Sequence, residues 1–455
     1  MAWPVFLMLQ ILPSFSARFI NAIRSPWPIF LLCVYAVYLV CALTVPIVGK
    51  IAAGLLLLMG LAGLYRLKGR FYDLTAAEKW LLASFTLFSL ISILSFFYWP
   101  QTREARMHLE DYITFMMLVP LYLLLRQFSF KLYWLVGLLA LAAIVLGCVS
   151  IAQFIAMKYY GISILTVGAV SWMRPSGSVN PMRYGAISLV IMTFSLNALL
   201  VLGQKAFWLK VLLVVVCGLG LVACLLAQAR GSWLAIPVLI VAYAVYLYRA
   251  GRPKFLMALV VGGVLLMAAA SQTQVVQSRV QHFSSNIDSY YKGNAQSSIG
   301  ARLDMFKAAG ILIKQNPVFG HGLSSYSPKA TGIRKATPGM SLEVGMWANP
   351  HNEILQVMVE KGVIGLITLL LLFAAPGYLF LQALRKADDS GAGQQVKYYA
   401  LCGLSLLIVY AVVGQSVALF EHDVFNHFFA LMVLLFASQI RVIGYIGLGC
   451  WGGVR

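Results

Sequence analysis

Charge is scarce in this sequence, and acidic charge most of all. Asp and Glu number 14 in 455 residues, and charged residues of both signs make up 11%. A soluble domain carries about 25%. With 61% hydrophobic residues and a mean hydropathy of +0.86, no polar shell can cover the apolar surface, so the bilayer must solvate most of it. The long apolar runs lack strand-like alternation, which argues against a membrane barrel. Helices remain, because backbone groups in lipid must be satisfied internally.

Familiar motifs are missing too. There is no Gly-x-Gly-x-x-Gly, Walker loop, His-Glu-x-x-His or Ser/His/Asp pattern, so nucleotide-driven and zincin chemistry find no support. Cys33, Cys41, Cys148, Cys217, Cys224, Cys402 and Cys450 contain no Cys-x-x-Cys and no metal-spaced pair. They read as small buried apolar residues, not as a disulfide framework or zinc site. No cofactor and no metal is expected. No internal repeat or low-complexity tract is evident. The N-terminus lacks a signal-peptide cleavage pattern, and residues 1–20, with Trp3, Phe6, Phe15 and Arg18, read as an interfacial helix.

What is present is a series of apolar runs long enough to span a bilayer. Hydropathy places twelve near 28–47, 51–65, 79–99, 112–127, 132–157, 183–203, 208–227, 232–249, 254–271, 363–383, 397–418 and 425–444. The expected fold is therefore all-α and polytopic. Residues 1–271 form an N-terminal bundle of about nine spans, 272–352 an outer loop domain with helices of its own, and 353–455 a C-terminal segment of about three spans. Net charge is +20. With the N-terminus inside, the inner segments hold eighteen Lys and Arg against seven in the short outer loops, so both termini are expected in the cytoplasm. The basic residues are scattered through short loops, which makes nucleic acid a poor partner and membrane lipid a natural one.

The polar segment 272–352 stands apart. Ser297 to Gln315 reads as an amphipathic helix through Ile299, Leu303, Phe306, Ile311 and Ile313, and Asn316-Pro317 stops it. Residues 320–350 are rich in Gly, Ser, Pro and Thr and read as irregular loop.

Isolated polar residues beside apolar helices are the candidates for chemistry. Arg230, in Gln-Ala-Arg-Gly-Ser-Trp, sits between two spans. It either meets an anion or snorkels to the interface. Arg302 lies near the start of the loop helix, where helix N–H groups also favour negative charge; the alternative is a solvated surface arginine. His351, in Pro-His-Asn-Glu-Ile-Leu-Gln, is placed in the first turn of a helix begun by Pro350. An imidazole there suits a general base, and its alternative is a backbone-bonded first-turn histidine. Arg174, Asn180, Arg183 and Tyr184 share another outer loop, and His321 lies between two glycines. Glu421, His422, Asp423 and His427 share the last loop at spacings that fit no standard metal site. His108, Glu110 and Asp111 read as a solvated helix end.

With Gln-Ala-Arg-Gly-Ser-Trp at 228–233, Gly-Ala-Arg at 300–302 followed by Pro317 to Gly322, and Pro-His-Asn-Glu-Ile-Leu-Gln at 350–356, the chain resembles the O-antigen ligase family of bacterial membrane glycosyltransferases. The layout of many spans, one late outer loop and a few further spans extends that resemblance over most of the chain. It implies an undecaprenyl-pyrophosphate-linked O-antigen as donor and lipid A–core oligosaccharide as acceptor. It also implies inverting transfer at the periplasmic face of the inner membrane, without nucleotide or metal. On this resemblance Arg230, Arg302 and His351 are the catalytic residues, with Arg174, Arg183, Tyr184, Asn180, His321 and Asn352 as substrate contacts. A monomer is expected.

O-antigen polymerases and protein O-oligosaccharyltransferases of the same superfamily share this donor chemistry and stay open. A lipid-linked glycan transporter or flippase also stays open. Against it stand the long outer loop and helices that lack paired intramembrane charges or matching broken halves.

Overall fold

Helices are the regular structure of the described residues, and their lengths follow the apolar runs. The computed structural model describes residues 27–67, 74–98, 102–164, 174–202, 207–272, 277 and 297–447. The interfacial helix expected over 1–20 falls outside them, as do Lys68, Arg70, Lys205, Cys450 and Arg455.

In chain order, α1 (Trp27–Cys41) and α2 (Pro46–Leu67) form a tight hairpin, followed by α3 (Ala76–Tyr98), α4 (Arg103–Met117), α5 (Val119–Leu125) and α6 (Leu132–Tyr160). Next come α7 (Pro181–Leu202), α8 (Phe207–Leu226), α9 (Arg230–Arg249) and α10 (Pro253–Ser271). The polar segment supplies α11 (Ser298–Gln315) and α12 (Tyr326–Ala336), and α13 (Glu353–Lys386), α14 (Gly391–Val413) and α15 (Asp423–Gly447) close the chain. Ten spans are long and apolar enough to cross a bilayer, with α4 and α5 together making one of them. The shorter apolar α1 and α10 occupy the remaining two of the twelve predicted runs. The protein is an all-α polytopic membrane protein.

Three boundaries differ from the sequence expectation, each for a local reason. The run near 112–127 starts earlier, at Arg103, because the Thr102 side chain caps the Ala105 N–H at 3.1 Å. The run at 363–383 belongs to a helix that starts at Glu353 and breaks at Gly362 (φ 62°, ψ −157°). Residues 320–350 contain α12, where only loop was expected. Tyr326, Ala330 and Ile333, spaced as one helical face, pack with Ala301, Met305, Ala308 and Leu312 of α11 into a small second core. The Gly- and Ser-rich composition conceals that stripe.

The break at Gly362 has a visible cause. The Pro317–Gly322 stretch lies along it, with Val363 N donating to Pro317 O at 2.8 Å, His321 N to Val359 O at 2.7 Å and Gly322 N to Glu360 O at 2.9 Å. A Cβ at Gly362 would run into the Val318 carbonyl, so only glycine fits both this backbone angle and this approach.

Polar layers lie at both ends of α3. At one end Glu78, 2% exposed, lies 3.7 Å from Arg126 and 3.5 Å from Arg441, and it accepts from Tyr122 at 2.7 Å. At the other end Ser95 donates to Glu360 O at 3.0 Å. At 1.5 Å per residue the two layers stand roughly 25 Å apart, close to the thickness of a hydrocarbon core. Buried Lys361 lies over the Tyr112 ring and faces Glu353, Glu360 and Glu421. The expectation that the helices lack paired charges is therefore corrected. Glu78 and Arg441 stand more than three hundred residues apart in the chain, and a linear reading cannot pair them.

Candidate active site

Three helices begin at one cavity. Its volume is about 210 Å³, and it is lined by Pro181 and Met182 at the start of α7, by Arg230 and Gly231 at the start of α9, and by Ile299 and Arg302 in the first turns of α11. Gln228, Ala229, Ser416 and Arg174 complete the wall. Every lining residue is cationic or neutral. Helix starts present unpaired N–H groups and a positive dipole end, each worth about 0.3–1 kcal/mol toward an anion at exposed sites. Three arginines add charge and planar donor forks that match phosphate oxygens. The arrangement suits a compact anion carrying several oxygens.

Local sequence explains the placement. Gln228 adopts φ 51°, turning the chain sharply between α8 and α9 so that Arg230 opens α9. Gly231 lets this turn approach the loop after α14, because a Cβ there would strike the Ser416 side chain. Ser297 caps α11 by accepting from Gly300 N at 3.1 Å, which sets Arg302 one turn into the helix. Burial pulls the Arg302 guanidinium below its ordinary pKa, opposed by nearby Glu343.

His351 lies within electrostatic reach of Arg302, not in the first turn of a helix as the sequence suggested. It has φ 55° and precedes Asn352, whose side chain caps α13 by accepting from Leu355 N at 3.0 Å. An amide side chain is the stronger N-cap, so it displaces Pro350 from the start of the helix. The His351 ring packs 5.7 Å from that of Trp347. Burial, reinforced by Arg302, pushes its pKa down to about 4, so the imidazole is neutral at physiological pH. Its Nδ1 is buried without a hydrogen-bond partner among the described residues.

The remaining candidates take other positions. Asn180 accepts from Met182 N at 2.9 Å and orders the entry to α7. Arg183 points away from the cavity lining, 3.0 Å from the His422 ring, toward Asp111 and Asp423. Tyr184 is buried in the bundle and donates to Leu146 O at 2.6 Å. The ring of His321 bonds Leu312 O at 2.8 Å within the loop domain. His108 is not a solvated helix end, since it meets Ser324 Oγ at 2.8 Å.

Among the described residues, His108, Glu360 and Glu421 form a group with metal-ligand spacing, their ligand atoms within 4.8 Å of one another. Its oxygens are already engaged: Ser324 N and Gln356 Nε2 donate to Glu360, Asn349 and Gln356 donate to Glu421, and Lys361 supplies countercharge. The carboxylate oxygens thus have donors within the protein, while Lys361 Nζ and Gln356 Oε1 are buried without hydrogen-bond partners among the described residues. Ser416, Gln228 and Asn349 were not singled out as site residues, although Gln228 lies in a quoted motif, and nothing in the sequence links Asn349 to Glu421, which was noted only within the last loop.

Comparison with known proteins adds a sequence likeness. The chain is similar to an uncharacterized protein of Haemophilus influenzae, 25% identical over 373 residues, which cover 80% of this chain and 86% of that protein. Residues 213–370 match the family described as O-Antigen ligase. Arg230, Arg302 and His351 all fall inside that segment, and the chain therefore carries an O-antigen ligase family domain.

Proposed function

We propose that this protein is an O-antigen ligase that moves a glycan from an undecaprenyl-pyrophosphate carrier to lipid A–core oligosaccharide at the periplasmic face of the inner membrane. The observation that carries the proposal is the convergence of three arginines and three helix starts on one cavity, with a histidine within electrostatic reach of one of those arginines.

The chemistry follows from these groups. Arg174, Arg230 and Arg302 hold the diphosphate and stabilise the charge it gains as the leaving group, a contribution of about 2.7–4 kcal/mol for one well-placed donor. His351 accepts the proton of the acceptor hydroxyl. The hydroxyl oxygen bonds to the anomeric carbon as the carbon–oxygen bond to the diphosphate breaks, with inversion. The products are the extended acceptor, free undecaprenyl pyrophosphate and a protonated His351. The arriving diphosphate also raises the basicity of His351 by placing negative charge beside it.

A lipid-linked donor fits a second feature. A wholly different cavity of about 220 Å³, lined by apolar residues that include Met192, Leu196, Ile236 and Tyr243, lies along α7 and α9. It begins roughly 10 Å from the arginine cavity on the same two helices.

The test is reconstitution. Purified protein, lipid-linked glycan and lipid A–core are mixed in detergent, and sugar transfer is followed on the acceptor. Transfer to lipid A–core supports the ligase. Transfer only to a second lipid-linked glycan, or only to a polypeptide, replaces it with a polymerase or a protein-directed transferase. No product in detergent, with lipid movement across intact vesicles, replaces it with a transporter.

A further inference from the structure

His351 stands in a left-handed backbone conformation that a residue with a Cβ seldom adopts. Such a conformation persists only where surrounding groups over-determine it. Two of its neighbours do so. Asn349 Oδ1 accepts the His351 backbone N–H at 3.0 Å. The other end of the same amide, Asn349 Nδ2, donates to Glu421 Oε2 at 2.6 Å. Asn349 and Glu421 are 7% and 3% exposed, so water cannot readily substitute for either contact.

The amide orientation is dictated by its partners. Turned over, it would set its oxygen against the carboxylate and its NH₂ against the His351 N–H, losing both bonds. Glu421 is itself held from behind by Gln356 Nε2. Burial and the neighbouring Glu360 carboxylate push the pKa of Glu421 upward. Asn349 and Lys361 oppose that shift, and what Glu421 offers Asn349 is an acceptor oxygen in a fixed place.

We propose that Glu421, acting through Asn349, is the positioning residue that locks the His351 turn. The proposal rests on the reading of His351 as the acceptor-activating base for its catalytic consequence, but not for its structural one. Removing the acceptor oxygen frees Asn349, and the His351 turn relaxes toward an ordinary backbone conformation. Displacement of a reacting group by about 1 Å costs on the order of 10²-fold in rate.

The test uses the full chain in lipid nanodiscs. Glu421→Leu and Asn349→Ala are each expected to lower kcat on the order of 10²-fold with the donor KM unchanged. The double variant should be no slower than either single one, because both remove the same link. Glu421→Gln keeps an acceptor oxygen toward Asn349; on its far side the new NH₂ requires Gln356 to turn its Oε1 inward and release its bond to Glu360, a loss that does not touch Asn349. That variant should stay close to wild type.

An activity-independent readout is the NMR titration of the His351 ring, identified by its loss in His351→Ala. Its midpoint, down at about 4 in the parent, should move toward the ordinary value in Glu421→Leu and Asn349→Ala and stay put in Glu421→Gln. If the protein transfers no glycan, or His351→Ala is fully active, the base reading fails while the titration still decides the positioning role. Wild-type kcat in Glu421→Leu, multiplying losses in the double variant, or an unmoved His351 titration in both single variants would overturn the proposal. Should Glu421→Leu not fold, Asn349→Ala and Asn349→Asp carry the same measurements.

Discussion

Arg302 acts on His351: with burial as the larger cause, the guanidinium helps hold the imidazole at about 4. In the ligand-free protein the ring is unprotonated across the physiological range. The acid limb of kcat/KM is expected to fall near pH 4, well below an ordinary histidine. Stability follows the same lowered pKa. The unfolded chain takes up the proton near 6.5, the folded chain only near 4, so this contribution is present above pH 6.5 and is lost as pH falls to about 4. Arg302→Gln should shift the His351 midpoint upward, and a pH–rate profile beside histidine NMR checks both.

Loss of one cavity arginine should be a defect in chemistry rather than folding. Arg230→Ala and Arg302→Ala are each expected to reduce transfer by about 10²–10³-fold. Lysine at either position should rescue poorly, because a point charge lacks the planar fork. Single-turnover rates with normal elution in size-exclusion chromatography are the measurement.

Gly231 is the contact point between the start of α9 and Ser416. Gly231→Val forces the two apart, at about 1–3 kcal/mol for overpacking. Because both residues line the cavity, donor binding should weaken more than thermal stability does. Pairing Gly231→Val with Ser416→Gly should recover part of the loss, read as donor Kd.

At the other end of α3, Glu78 lies between Arg126 and Arg441. Removing one partner from a buried ion cluster costs about 3–5 kcal/mol. Glu78→Ala should lower Tm accordingly, with transfer by the folded fraction unchanged. A calorimetric scan alongside an activity assay below Tm separates the two.

Much of this architecture is legible in the primary structure because lipid imposes length. Apolar runs mark the helices whether or not their partners are known. The site was less legible, for reasons of geometry. Arg230, Arg302 and His351 stand in recognisable local motifs, but nothing in their spacing brings them together. Arg183 and Tyr184 directly follow Met182, which lines the cavity, yet each step along α7 rotates the side chain by about 100°. One therefore faces His422 and the other the bundle core. Asn349 and Glu421 are 72 residues apart, a contact that leaves no periodic trace. The Pro350 signal misled because a proline start and an asparagine cap competed two residues apart, and the cap supplied a side-chain acceptor.

The starts of α7, α9 and α11 reach the arginine cavity from distant stretches of chain. An occupant bound there becomes a non-covalent cross-link among segments that lie far apart in sequence. Mass action then couples occupancy to resistance against unfolding. A ligand at one hundred times its Kd adds about 2.7 kcal/mol, and protease cleavage in residues 297–345 should slow in step with saturation.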